Sequence, residues 1–170
     1  MNNYQDPTYV QPVLRFLEKI GIPFQLITLN TETHLPGILI ENGSLQIDLE
    51  KLSFPGDLLY EAGRIALAPA AVRSTLTHPI ENQLDFDVAT NSIMTIAWSY
   101  AAALDAGIPL EVLFHPQGYK GQNESIQYGF QSGQYIGLPM LQFLGMAYDA
   151  NNANHKGKQP FPFMISWLRP

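Results

Sequence analysis

Apolar residues at Val10, Val13, Leu14, Leu17 and Ile20 recur at three and four, the spacing of one helical face, so residues 8–20 are predicted as an amphipathic helix. Gly21 stands where a C-terminal cap belongs, and Pro23 bars continuation. Residues 24–29 read as a short, partly buried strand. Two four-residue runs, Ile38-Leu39-Ile40-Glu41 and Ser44-Leu45-Gln46-Ile47, then flank Asn42-Gly43. A two-residue type I′ turn needs positive φ at both central positions, which Asn and Gly tolerate best, so the pattern predicts a hairpin. With Asn42 and Gly43 as its loop, Ile40 faces Leu45 and Ile38 faces Ile47. All four side chains then share the core face.

Helical periodicity returns at GDLLYEAGRIAL, Gly56–Leu67, with Leu58, Leu59, Ala62, Ile65 and Ala66 as its buried stripe. Tyr60, Glu61 and Arg64 share another side. Pro55 costs nothing in a first turn, and Asp57 complements the helix dipole. Pro69 ends this helix; residues 70–76 add a short second piece and residues 78–86 a loop. The next helix, capped by Asp87 or Thr90, runs to about Ala106 before Gly107-Ile108-Pro109 stops it. Its expected core face is Ile93, Ile96, Ala97, Tyr100, Ala101 and Leu104, with Asn91, Thr95, Trp98, Ala102 and Asp105 on another. Short helices over residues 110–114, 123–130 and 139–144 follow, separated by a loop at 115–121. Residues 150–159 are polar and linker-like. The final PFPFMISWLRP is too apolar to dangle: Phe161, Phe163, Ile165, Trp167 and Leu168 are expected to dock on this domain or on a neighbouring subunit. The expected organisation is one domain over 1–149, then a polar linker and apolar docking tail over 150–170.

Composition narrows the function. The chain has 170 residues, enough for one domain with a real core. Only 14% of residues are charged, against a usual quarter, which favours a compact body. A net charge of −6 without a basic cluster argues against nucleic-acid binding. The absence of cysteine excludes disulfides and thiolate metal sites. MNNYQDPTYV lacks the basic start and apolar run of a signal peptide, and residues 88–104 are too polar for a membrane span. A soluble cytoplasmic protein is expected.

The order helix, strand, Asn-Gly hairpin, central helix and second long helix is similar to the minimal zincin fold of small bacterial metallopeptidases, the ImmA/IrrE-like kind. GDLLYEAGRIAL, IAWSYAAAL, FHPQGYKG and GQYIGLPMLQFLGM resemble more closely an uncharacterised bacterial family with H-E-A-G-H in the central helix. The likeness covers residues 37–146. It implies an α+β, zincin-like fold, with a small antiparallel sheet packed on an active-site-type helix. In the H-E-x-x-H motif the two histidines bind zinc and the glutamate is the general base. Here the frame reads Tyr60-Glu61-Ala62-Gly63-Arg64, and Asn91 and Ser92 stand where an acidic third ligand is expected. A neutral phenol is a poor ligand, and a permanently protonated guanidinium repels a divalent cation. No catalytic zinc, and no other cofactor, is therefore expected. Glu61 remains as a vestigial base, and Arg64, three residues on, is placed to form an ion pair with it and occupy the former metal pocket.

The other chemistry-bearing residues are sparse. No two histidines among His34, His78, His115 and His155 have metal-ligand spacing. His34, two residues before Pro36, and His78, beside Pro79, read as surface residues, and His155 lies in the polar tail. His115, in FHPQGYKG, either lines the pocket or braces its loop by a hydrogen bond. Gly118-Tyr119-Lys120-Gly121 lacks phosphate-loop spacing and reads as a flexible connection. Trp98 and Tyr100 read as core, Asp85 and Asp87 as loop and cap residues. No G-x-S-x-G occurs.

Three functions are compatible with these readings. The leading one is a catalytically inactive metallopeptidase-like protein, a pseudoenzyme whose pocket binds a small molecule or peptide or serves assembly. The second is a hydrolase using Glu61 without zinc or with a metal held differently. The third is a structural or partner-binding subunit, a homo-oligomer through the C-terminal tail. Neither nucleic acid nor membrane is an expected partner.

Overall fold

The computed structural model describes residues 3–170. It is α+β, with one three-stranded sheet, β1 (Phe24–Leu26), β2 (Ile38–Glu41) and β3 (Ser44–Ile47), and eight α-helices among the described residues. The hairpin forms as its turn chemistry dictates. Asn42 and Gly43 take φ of 49° and 69°, and Ile38 pairs with Ile47 and Ile40 with Leu45. None of these four side chains is more than 1% exposed.

The sheet is mixed, not antiparallel as expected. Its order is β1-β3-β2, and β1 runs parallel to β3. The tight turn leaves β3 one open edge, and residues 27–37 are long enough to carry the chain from that edge across to β2. The strand expected over 24–29 also stops early. Ile27 N–H still reaches the Ile47 carbonyl, but Leu29 N–H turns to the Asp48 carboxylate at 2.9 Å. Asp48, 3% exposed, also accepts from Glu50 N–H at 3.1 Å.

Helix α1 (Val10–Ile20) follows its predicted stripe, with Phe16 added to the buried side and Ile20 only half-buried. Helices α2 (Gly56–Leu67), α3 (Ala70–Arg73) and α4 (Val88–Ala106) come next. Where α2 crosses α4 the approach is close: a Cβ on Gly63 would stand 2.9 Å from the Trp98 ring and 3.1 Å from the Thr95 methyl. Asp87 caps α4 by accepting from Thr90 N–H.

Helix α4 has no single core face. Every residue from Met94 to Ala103 is buried, including Thr95, Trp98 and Ala102, whereas Ile93 and Leu104, expected in the core, are exposed. Its middle is surrounded by α1, α2, α5 (Leu110–Leu113) and α7 (Leu138–Phe143), so only its ends reach solvent. Helix α6 (Asn123–Gln131) precedes α7.

The polar segment after residue 149 is helical rather than linker-like. Asp149 accepts from Asn152 N–H and starts α8 (Ala150–Lys156). Polarity misleads here because a one-sided surface helix needs little apolar contact; Ala153 is its one buried residue. The tail beyond docks on its own chain. Trp98 Nε1–H donates to the Trp167 carbonyl at 2.9 Å, and the Trp167 ring lies edge-on to Phe16 and Trp98. Arg169 forks onto both Asp85 oxygens at 2.8 Å. Phe163 alone among the large tail residues stays about half exposed. No described helix is long and apolar enough to cross a membrane.

Candidate functional site

Asp57, Tyr60, Glu61 and Arg64 fall at i, i+3, i+4 and i+7 of α2 and present one face to a cavity of about 560 Å³. The first half of α4 supplies Asn91, Ser92 and Thr95 to the opposite wall. Leu35, Leu84, Ile96 and Ile126 add apolar surface, and Tyr119 and Lys120 come from the loop after α5. A second cavity of about 520 Å³, beside α7 and α8, contains a single ionisable acid, Asp149, whose oxygens are taken by Asn152.

Glu61 is the most deeply buried member of the charged group on the cavity wall, with Arg64 and Glu81. It is 2% exposed, yet it is an acid and needs partners. Arg64 Nη1 donates to its two oxygens at 3.2 and 3.5 Å, while Arg64 Nη2 donates to Glu81 at 2.6 Å. His78 Nε2 stands 3.2 Å from Glu61 Oε2. Burial opposes the charge on Arg64, but Glu61 and Glu81 more than offset it and raise its pKa above the ordinary value. Glu61 is thus held by a cation on one side and an imidazole on the other.

His78 was expected at the surface and instead closes this network, because the sheet edge recruits it. Ile40 N–H donates to its Nδ1 at 3.0 Å, and His78 N–H donates to the Ile40 carbonyl at 2.9 Å. Nδ1 is therefore the acceptor, which places the ring proton on Nε2, toward Glu61. Asn42 N–H reaches Thr77 Oγ1 and Ile38 N–H reaches the Leu35 carbonyl, so the outer donors of β2 are satisfied within the chain. We expect ¹⁵N shifts of His78 at neutral pH to report the Nε2–H tautomer; the Nδ1–H pattern would contradict the geometry.

A second buried pair lies deeper. His115 Nε2 is 2.9 Å from Asp57 Oδ1, and Phe54 stacks on the imidazole at 3.9 Å. His115 Nδ1 is buried without a partner, so a proton there would be unsatisfied; the proton sits on Nε2 and is donated to Asp57. The Tyr119 hydroxyl is likewise buried without a partner, and desolvation, with Asp57 and Tyr60 nearby, raises its pKa well above the phenol value. The Tyr60 hydroxyl makes a long contact, 3.4 Å, with Ser92, and its ring lies edge-on to Tyr119.

Of the residues singled out in the sequence, Tyr60, Glu61, Arg64, Asn91 and Ser92 line one cavity, and His115 stands behind Asp57 as a bracing partner. Asp57, His78, Glu81 and Tyr119 were missed as site residues. The i, i+3, i+4, i+7 spacing was the available signal for Asp57. Nothing local marked His78 or Glu81, which chain folding delivers from residues 77–86. The donor set does not fit zinc. Arg64 carries a fixed positive charge between two carboxylates, and Asn91 Nδ2–H donates to the Phe86 and Asp87 carbonyls as a local brace. Among the described residues no group of three or more His, Cys, Asp or Glu side chains could hold a metal.

Acid should open this region. The Glu81 carboxyl is held below its usual value, first by its own backbone N–H and then by Arg64. Asp85 is lowered chiefly by Arg169, and Asp48 chiefly by Leu29 N–H. A carboxylate with a depressed folded pKa adds stability above its unfolded value and loses it as pH falls through the folded one. The urea midpoint is therefore expected to stay level from pH 7 to about 5 and to fall steeply below about pH 4. A midpoint that rises in that window would contradict these assignments.

Comparison of the chain with protein-family models, curated proteins and solved structures gives no match.

Proposed function

We propose that this chain is a non-catalytic binding protein on a zincin-like scaffold, a pseudoenzyme whose former metal pocket now receives a small organic ligand. The observation that carries the reading is the engagement of Glu61. Arg64 hydrogen-bonds both its oxygens, His78 approaches one of them, and Glu81 anchors the far side of the guanidinium. A general base must be free to take a proton from a reacting group, and a carboxylate held by a cation is a poor one. The cavity beside it nevertheless remains, within the size range of small-molecule sites.

The β2 edge, to which His78 is tied, supports a small molecule over a peptide strand added there. A peptide adding to a sheet needs unpaired main-chain groups, and the β2 edge has its donors taken by residues 35, 77 and 78. The hydrolase alternative is less well supported, because Glu61, the base it would use, is held by Arg64, and the described residues contain no group of three or more His, Cys, Asp or Glu side chains that could hold a metal. The C-terminal tail, offered as an assembly device, has its Trp167 and Arg169 engaged within the chain.

The test is metal analysis of the purified chain after exposure to excess zinc and dialysis. The wild type is expected to retain none in stoichiometric amount. The triple variant Tyr60→His, Arg64→His, Asn91→Glu is expected to retain about one ion per chain. One zinc on the wild type would overturn the pseudoenzyme reading. A folded triple variant that binds no zinc would count against the zincin-like scaffold.

A further inference from the structure

The charge and hydrogen-bond inventory of the main cavity specifies a ligand class. Its charged lining consists of Asp57, Glu61 and Glu81 against Arg64 and Lys120, with His34 exposed at the rim. Arg64 hydrogen-bonds both Glu61 and Glu81, and the one net negative charge of this trio falls on the half-exposed, solvated Glu81. Lys120 is exposed, so its charge is solvated and attracts an anion only weakly. The charge left to the interior is Asp57. One of its oxygens takes the His115 proton, and the other has no hydrogen bond from the described residues. Tyr119, whose hydroxyl is buried without a partner, lies near enough to interact with Asp57 and Tyr60, and the Tyr60 hydroxyl makes a long contact with Ser92; each hydroxyl can accept a hydrogen bond. The remainder of the wall is aliphatic, including Leu35, Ile96 and Ile126.

We infer that the cavity binds an amphipathic amine, an ammonium head on an apolar chain or ring body. This rests on the binding-protein reading above and names its ligand. An ammonium carries three N–H donors and no acceptor, matching one free carboxylate oxygen and two hydroxyl oxygens. A carboxylate head would face Asp57 and be repelled. A neutral alcohol would satisfy the hydrogen bonds but leave the charge uncompensated. Desolvation by the aliphatic walls strengthens the ion pair, and the apolar body gains by burial.

The experiment is isothermal calorimetry of the full chain at pH 7 with n-octylamine, n-octanol and sodium octanoate, probes sharing an eight-carbon chain. Octylamine is expected to bind about tenfold or more tightly than octanol, the equivalent of one charge-assisted hydrogen bond, and octanoate more weakly than either. In Asp57→Asn the advantage of the amine over the alcohol should vanish while octanol affinity is kept. The wild-type comparison needs no variant, so it decides the matter even where Asp57→Asn disturbs His115. Equal affinity for amine and alcohol, or preference for octanoate, overturns the amine assignment and leaves the binding reading standing. Binding of none of the three overturns the amine assignment and counts against the binding reading as well.

Discussion

Arg64→Ala is expected to lower stability by about 3–5 kcal/mol, the scale for removing one partner of a buried ion pair. The large effect comes from what is left behind. Glu61 is 2% exposed, and without the guanidinium its one remaining close partner among the described residues is the His78 imidazole at 3.2 Å. Glu81 loses the same cation and ceases to tether residues 77–86. Urea denaturation at pH 7 measures the loss directly. The double change Arg64→Met with Glu61→Leu should recover most of the loss, since an apolar pair of similar volume carries no desolvation penalty. A loss no greater than about 0.5 kcal/mol for Arg64→Ala would identify the contact as an ordinary surface bridge and remove the main support for a captured Glu61.

Trp98→Ala is expected to cost a similar amount, about 3–5 kcal/mol, by a different route. Trp98 is fully buried where α4 crosses α2, and its ring lies against Phe16 and Trp167. Its indole N–H also holds the Trp167 carbonyl, so the change removes both a core ring and the tether of the C-terminal segment. The chain has two tryptophans, which leaves Trp167 as the only indole reporter in this variant. Its emission should shift to the red, and a protease should cut after residue 157 faster than in the wild type. Trp98→Phe restores a ring without the donor and should fall between the two. An unshifted emission with intact protease resistance would mean that the tail is held by other contacts, chiefly the Arg169 fork on Asp85.

These predictions fall on residues whose sequence signal differed greatly. Tyr60, Glu61 and Arg64 stood out because a helix puts positions three and four apart on one face, and that geometry is local. Asp57 obeys the same arithmetic and was read only as a dipole partner; its pairing with His115 joins residues 58 apart in the chain. His78 had no local mark at all. It enters the site because β2 has an open edge and residues 76–78 return beside it, a consequence of where Pro69 ends α2 and how the next turn packs. Helix α4 shows the same limit. Its alternating stripe predicted a core face, but burial on every side follows from four helices meeting around it, which periodicity does not record.

What the sequence determined by itself was short in range: the hairpin register from Asn42-Gly43, the extent of the two long helices from their Pro, Gly and Asp signals, and the altered frame Tyr60-Glu61-Ala62-Gly63-Arg64. Each depends on the conformational preferences of a few adjacent residues. The tertiary structure alone decided the parallel placement of β1, the docking of the tail on its own chain, and the approach of His78 to Glu61. Burying an acid in a protein of low charge requires cations or hydrogen-bond donors at contact distance, and besides Arg64 those come from distant chain segments. The side of α2 opposite its apolar stripe is therefore legible as a face in the sequence. Its state, a carboxylate held by Arg64 and His78 beside an open cavity with Asp57 at its wall, exists only in the folded chain.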